Sequence, residues 1–421
     1  MKPIRALALG TLVAGSISAQ AYDVVERYKI IDDKLKTEAM LRPIGHDFFF
    51  DIGATANKNV QDVIDDIDKA SKFQGTDQEK IDEANRILTK YDKTEQTIKL
   101  NVALGTPLPS FTAWDVKVTP NLRVFVDVGA NIGIRSQKVT NQDLIDLFQD
   151  DVPAELQTII LNLDLVSEQG NDIKTICIAR TTANTAARLY CDNLPTGKYI
   201  VPNVGNNPTM TLFAKADAKA GFFNDYTYGE HFFGNFNLYG MGRADLYQFV
   251  TGTQIAKGDS IDTPDKMNTE TTVQLDYRLG YRNTNYSTFL GIEELKITKL
   301  GDAKEGSKAH MYDYDPLIRF HADARYRLSA LSLQPFVGVH KRSGYGFADG
   351  MYAGTSVGAH VWGDRLGLEF RGMVDKQYLT LTPRMKLWLM QLEYSLKKPL
   401  KDTDGDVKLT ALHSIDFRIF F

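Results

Sequence analysis

From Leu122 to Ile134 the chain alternates without a break. Leu122, Val124, Val126, Val128, Ala130, Ile132 and Ile134 share one side of an extended segment; Arg123, Phe125, Asp127, Asn131 and Arg135 share the other. Thr271 to Tyr281 repeats the pattern, with Val273, Leu275, Tyr277, Leu279 and Tyr281 opposite Gln274, Asp276, Arg278 and Arg282. So does Ile318 to Leu328, where Phe320, Ala322, Ala324 and Tyr326 oppose Arg319, His321, Asp323, Arg325 and Arg327. A two-residue period with one apolar and one charged side describes a strand between two unlike media, and it excludes an amphipathic helix.

Less regular alternation runs over Thr209 to Phe222, Phe232 to Tyr247, Tyr286 to Ile297, Leu331 to His340, Met351 to Trp362, Leu366 to Val374 and Met385 to Leu396. With Phe48 to Ala54, Gln96 to Leu104, Thr112 to Val118 and Leu409 to Phe421, the chain holds about fourteen strands, within a range of about twelve to sixteen. Beyond residue 21 no segment supplies the roughly 20 consecutive apolar residues of a transmembrane helix. A hydrophobic content of 43% still allows spanning by strands, which need an apolar residue only at alternate positions. The fold expected is all-β, a transmembrane antiparallel up-and-down barrel with helical insertions. Turns at Asn283-Thr284, Ser329-Ala330 and Gly363-Asp364 join hairpins, and counting strands back from a periplasmic C-terminus places these three outside.

Both ends of the chain carry address signals. Lys2 and Arg5 precede an apolar or small-residue run, Ala6 to Ser18, and Ala19-Gln20-Ala21 has the small-x-small form of a cleavage site. The expectation is a signal peptide over 1–21, a mature chain from Tyr22, and a formal net charge two units below the −4 of the full sequence. At the other end Phe421, Ile419, Phe417, Ile415 and Ala411 share a face with His413, against Phe420, Arg418, Asp416 and Ser414. That ending resembles the last strand of bacterial outer-membrane β-barrels. The resemblance implies that Phe421 is the assembly signal, that the barrel assembly machinery is a partner, and that the protein resides in the outer membrane among lipid and lipopolysaccharide.

Helical spacing interrupts the strands at about 57–93, through Val60, Val63, Ile64 and Ile67 and then Ala84, Ile87, Leu88 and Tyr91, with Thr76 and Glu79 as a capping box. A second helical stretch at about 141–168 aligns Leu156, Ile159, Ile160 and Leu163. These helices can lie at the periplasmic end, cap the outer mouth or plug the lumen. A polar loop follows at about 169–208 and holds Cys177 and Cys191, which read as a disulfide in an exported chain. Phe48 to Ala54, the acidic Asp65-Asp66-Ile67-Asp68 stretch and the return strand Gln96 to Leu104 together resemble the layout of the FadL and TraF-like outer-membrane barrels, which carry helical elements beside or inside the barrel.

Charges turned to hydrocarbon cost about 2 to 4 kcal/mol each, so the charged faces must look inward. The lumen-lining candidates are Arg123, Asp127, Arg135, Lys215, Asp217, Arg243, Asp245, Asp276, Arg278, Arg282, Arg319, His321, Asp323, Arg325, Arg327, Glu369 and Arg371, with Lys219 beside them. Basic residues outnumber acids in this set and tilt a pore towards anions. The alternative is that the charges pair with one another or with a plug and close the barrel.

No histidine is followed two residues later by serine, and neither G-x-S-x-G nor H-E-x-x-H occurs. His321, Asp323 and Glu369 are the only grouping that suggested a protease, and no catalysis and no cofactor are expected. Asp402, Asp404 and Asp406 resemble half of a calcium loop, but the glycine stands at the fourth position, which favours an Asp-Gly turn. Lys397, Lys398 and Lys401 suit lipid headgroups or lipopolysaccharide phosphates. Trp114, Tyr281, Tyr326, Trp362, Trp388, Tyr394 and Phe421 suit interfacial girdles. The function these features support is an outer-membrane channel or transporter for small solutes. The alternatives are a closed barrel that scaffolds a conjugation or secretion assembly, and a FadL-like transporter of hydrophobic substrates.

Overall fold

The computed structural model describes residues 23–42, 47–138, 141, 144, 164–181, 186–197, 199–201, 206–257, 267–301, 315–328, 331–361 and 366–420. Fourteen antiparallel strands close into one barrel. They are β1 (Phe49–Asn57), β2 (Glu95–Pro107), β3 (Val116–Lys138), β4 (Asn206–Tyr228), β5 (Phe232–Thr251), β6 (Asn268–Arg282) and β7 (Tyr286–Lys299), then β8 (Leu317–Ala324), β9 (Leu331–Lys341), β10 (Met351–Val361), β11 (Leu366–Asp375), β12 (Tyr378–Leu387), β13 (Met390–Pro399) and β14 (Leu412–Phe420). Each pairs with its neighbours in sequence. β1 then meets β14 from Phe49 opposite Phe420 to Asn57 opposite Leu412, so no edge is left unpaired.

The alternation in the sequence is the alternation of the wall. Leu100, Leu104, Leu122, Val124, Val126, Val128, Leu238, Leu290, Leu368, Phe370 and Ile415 are exposed on the outside. Their neighbours Lys99, Arg123, Asn237, Arg371 and Asp416 are buried inside.

The strand number agrees with expectation through two errors that cancel. Thr112 to Val118 is not a span: Phe111–Ala113 folds back on Val116 to Val118 around Trp114 and Asp115, both at positive φ, and only lengthens the end of β3. Met385 to Leu396 is two strands, because Trp388, at φ 53, and Leu389 turn the chain between Leu387 and Met390. The merged strand also reversed the sidedness of the turns. Asn283-Thr284 lies at the end of the barrel where β14 finishes, not the opposite end. The connections at 329–330 and 362–365 fall outside the described residues, and so does Trp362, but their flanking strands end on that same side. Residues 1–22, which include the segment read as a signal peptide, and Phe421 also lie outside the described residues.

The long connections leave the other end, and their described parts build a cap there. α2 (Val60–Ser71) and α3 (Asp77–Lys90) form a hairpin. α3 begins at the capping box, where the Glu79 backbone N–H donates to Thr76 Oγ1 at 3.3 Å and the Thr76 N–H donates to Glu79 Oε2 at 2.8 Å. Asp66 of α2 accepts hydrogen bonds from Lys90 and Tyr91, which hold its carboxyl at about 2. The apolar faces of this pair, Val63, Ile81, Ala84, Ile87 and Leu88, pack with Ile134 and Met210 of the barrel rim. Of the three places these helices could take, the one observed is the mouth.

The segment read as a polar loop at 169–208 carries two short helices, α4 (Ile173–Arg180) and α5 (Ala186–Asn193), and a further helix, α6 (Gly252–Lys257), follows β5. Cys177 on α4 and Cys191 on α5 are disulfide-bonded, with Cα atoms 5.6 Å apart across 14 positions. Both are buried in the cap core beside Ile173 and Ile176. Leu144 and Leu165 join that core, whereas Leu156, Ile159, Ile160 and Leu163 lie outside the described residues. In the chain-entropy view a bridge of this span stabilises by about 3 kcal/mol. Folded protein should therefore react with maleimide only after reduction, and reduction should loosen the cap without unfolding the barrel. Ready labelling of both cysteines in unreduced protein would remove the bridge.

Candidate functional site

The lumen is occupied by the chain's own N-terminal segment. Helix α1 (Val24–Met40) has 17 residues and is thus about 25 Å long. Asp23 caps it: its carboxylate accepts from the backbone N–H of Val25 at 2.8 Å and of Glu26 at 3.3 Å. The helix lies inside the barrel, running from the capped mouth towards the middle. Near its start Arg27 pairs with Glu95, at the head of β2, at 3.1 Å, and with Asp404. Just past its end Arg42 reaches Glu393 at 3.0 Å and Asp416 at 2.5 Å in mid-barrel.

The first turns pack through apolar groups. Val24, Val25 and Tyr28 meet Phe213, with the Tyr28 and Phe213 ring centroids 5.3 Å apart. Tyr28 fits because β3 carries Gly129 there; any Cβ would overlap its hydroxyl. Beyond that point Ile30 and Ile31 are also buried and Leu41 packs against Phe336, Tyr352 and Met373, but the side-chain bonds to the wall are mainly ionic. Asp32 is fully buried between Lys215 at 3.2 Å, Lys99, and its own Lys36 at 3.1 Å. Asp33 takes a two-point contact from Arg342, both bonds 2.9 Å, and accepts from the Tyr345 hydroxyl at 3.0 Å. Lys34 donates to Asp375 at 2.6 Å and Gln377 at 2.7 Å. Thr37 accepts from Arg319 at 2.5 Å, and Glu38 pairs with Lys397.

Glu294 completes this ring because β7 departs from regular pairing. The register slips between Leu275 and Tyr277, and Glu294 sits at φ 60, so two successive carboxylates turn inward. Glu293 pairs with Arg319 at 3.0 Å; Glu294 takes Lys36 at 2.9 Å, Lys219 at 2.6 Å and Arg342 at 3.0 Å. The left-handed conformation is one a glutamate adopts only when its surroundings hold it there.

Several residues singled out in the sequence belong to this arrangement. Lys99 and Lys215 pass the Asp32 contact on to Asp127 at 2.7 Å and Asp217 at 2.9 Å, and Arg243 clamps Asp217 at 2.7 Å. Arg278 lies 4.2 Å above the Phe289 ring and 3.6 Å from Glu293. Asp276 accepts from the Tyr239 hydroxyl at 2.8 Å. Others stand apart from the helix. Arg135 donates to the Ile134 carbonyl near the cap, and Asp245 accepts from Asn268 at 2.7 Å. Arg371 pairs with Glu393 at 3.2 Å, and Glu369 with Arg384. Arg282, stacked on Phe233 at 5.5 Å, Arg325 and Arg327 are exposed at the far mouth.

His321 and Asp323 meet, with Nε2 to Oδ2 at 3.8 Å, but Glu369 does not join them. Asp323 also accepts from Ser287, from Arg325 at 3.0 Å and from Gln334 at 2.9 Å, and His321 Nδ1 bonds the Tyr352 hydroxyl at 3.1 Å. This is an orienting network, and among the described residues no serine bonds the histidine.

One expectation is corrected, and the preference for an Asp-Gly turn at Gly405 agrees with the structure. Lys397 does not face headgroups: it points inward, buried, and holds Glu38, because it follows Ser395 on the inner face of β13. The Asp402 to Asp406 stretch is a small hairpin, Thr403–Asp404 against Val407–Lys408, turned by Gly405 at φ 64, and Asp404 is engaged by Arg27 and Gln377.

Sequence reasoning missed α1, Glu38, Glu293, Glu294 and Arg342. The Asp23 cap and the consecutive glutamates in Gly291-Ile292-Glu293-Glu294 were the available signals.

No known family model matches the sequence, and no curated protein matches it. Solved structures that resemble it include the transport unit of the autotransporter AIDA-I from Escherichia coli, at 6% identity and TM-score 0.34, covering 95% of this chain and 99% of that one. CdiB from Acinetobacter baumannii aligns at 7% identity and TM-score 0.30, covering 90% of this chain and 61% of the other. A Pseudomonas aeruginosa FadL homologue aligns at 7% identity and TM-score 0.29, covering 77% and 68%. Such distant likenesses carry no function across. The closed ladder and the apolar outer belt identify the architecture by themselves. It is an outer-membrane type of β-barrel. Its lumen is filled by its own helix.

Proposed function

We propose that the protein is a channel or transporter for small polar solutes in the bacterial outer membrane, closed at rest by α1. Export through a leader over 1–21 and insertion by the barrel assembly machinery belong to the same reading, with lipid and lipopolysaccharide around the wall. In this reading the end with the short turns faces the periplasm and the helical cap lies outside.

One observation carries this: a helix buried in the lumen is held mainly by ion pairs to a charged wall. Apolar packing of similar volume would hold a permanent plug at least as well. A helix seated on charged groups can leave and let water solvate both surfaces. The charged wall also favours polar solutes over hydrophobic ones. Around Asp32 and Asp33 the connected wall groups are Lys99, Lys215, Lys219, Arg243 and Arg342 against Asp127, Asp217 and Glu294, five cations to three carboxylates. An emptied lumen would prefer anions.

In planar bilayers the mature protein should conduct rarely, and a variant lacking residues 23–42 should conduct steadily with anion preference. A variant that inserts as a closed barrel yet never conducts would leave the scaffold reading instead.

A further inference from the structure

Below the inner end of α1 one row of the wall runs across five strands. Phe49, Gly105, Arg123, Gly221 and Tyr239 face one another in register across β1 to β5. Large and absent side chains alternate. A Cβ at Gly105 would overlap the Phe49 ring, so that glycine lets the ring lie along the wall.

Arg123 stands in the middle of this row and is 8% exposed. Its guanidinium lies 5.7 Å from the centroid of Phe49 and 5.6 Å from that of Phe223. Arg418 covers Phe49 as well, at 5.2 Å, but is paired with Asp51. Among the described residues Arg123 makes no hydrogen bond and no ion pair, and its Nε is buried without a partner. Asp225, the carboxylate that bears on it, is exposed and does not reach it.

The buried wall cations that meet the helix, Lys99, Lys215, Arg319, Arg342 and Lys397, each have a carboxylate. A buried charge without one is costly to keep, and the aromatic rings offset only part of that cost. The planar donor fork of arginine matches the oxygens of a carboxylate or phosphate.

We infer that Arg123, between Phe49 and Phe223, is a binding site for a small oxyanion entering from the short-turn mouth. The site deepens the channel reading and rests on it for the meaning of the bound anion. It does not need the helix to move, because it lies on the side of α1 that the cap does not cover.

The test is calorimetric titration of purified, detergent-solubilised protein with sodium phosphate and with sodium benzoate, against sodium chloride at matched ionic strength. Saturable binding of at least one oxyanion is expected, weakened about tenfold or more in Arg123→Gln and less in Arg123→Lys, which keeps the charge without the fork. Lys72→Gln, on the cap surface, should bind as the parent does. Arg123→Gln should still migrate as a heat-modifiable barrel, since it removes a charge that has no partner; if it does not fold, Arg123→Lys carries the comparison. No saturable binding of either oxyanion, or unchanged binding in the folded Arg123 variants, overturns the site. Protein that binds but never conducts without α1 would remove the channel reading and leave the site standing.

Discussion

Replacing Asp32 and Asp33 together by asparagine should convert a barrel that conducts rarely into one that opens often. Both carboxylates are fully buried, and between them they contact Lys99, Lys215 and Arg342. Neutralising them leaves three cations of the wall facing a helix that no longer balances them. Weakening the seat by about 3 kcal/mol would change the ratio of open to closed barrels roughly a hundredfold. Single-channel recording reads this as open probability. An unchanged open probability in a correctly folded double variant would mean that the ion pairs do not hold the helix.

Arg342→Met should have the largest effect on stability. Arg342 is wholly buried and joins Asp33 of the helix to Glu294 of the wall. Removing it takes from Asp33 its two-point partner and from Glu294 one of three cations, and breaking a buried pair from one side costs about 3 to 5 kcal/mol. The variant should lose heat-modifiable migration at a clearly lower temperature than the parent. Asp33→Asn in the Arg342→Met background should recover part of the loss, because the carboxylate that lost its two-point partner is then neutral. No recovery would place the defect in packing rather than charge.

The wall was legible from the sequence because hydrocarbon outside and polar contents inside impose a period of two on every strand. Leu122 to Ile134 and Ile318 to Tyr326 show this most clearly. The capping box at Thr76 and Glu79 and the pairing of Cys177 with Cys191 were legible for the same kind of reason, a local requirement written in local residues. The helix in the lumen was not. Its environment is polar on most sides, so Asp32, Asp33, Lys34, Lys36 and Glu38 are core positions that read as solvated ones, and no apolar stripe marks the segment. The turn at Trp388 and the bulge at Glu294 were hidden because both place bulky residues at positive φ, where glycine or asparagine would have been the signal. Lys397 was misread for the same reason as α1: a lysine can face inward when the inside supplies a carboxylate.

The central claim is that α1 is a removable seal for the lumen. The measurement that tests it most directly records current through the variant lacking residues 23–42 while a synthetic peptide of residues 23–42 is added. Steady current in the variant, blocked reversibly by that peptide and not by a peptide carrying Asp32→Asn and Asp33→Asn, is the result expected. Current through the variant no greater than through the intact protein, or a current indifferent to both peptides, would contradict it.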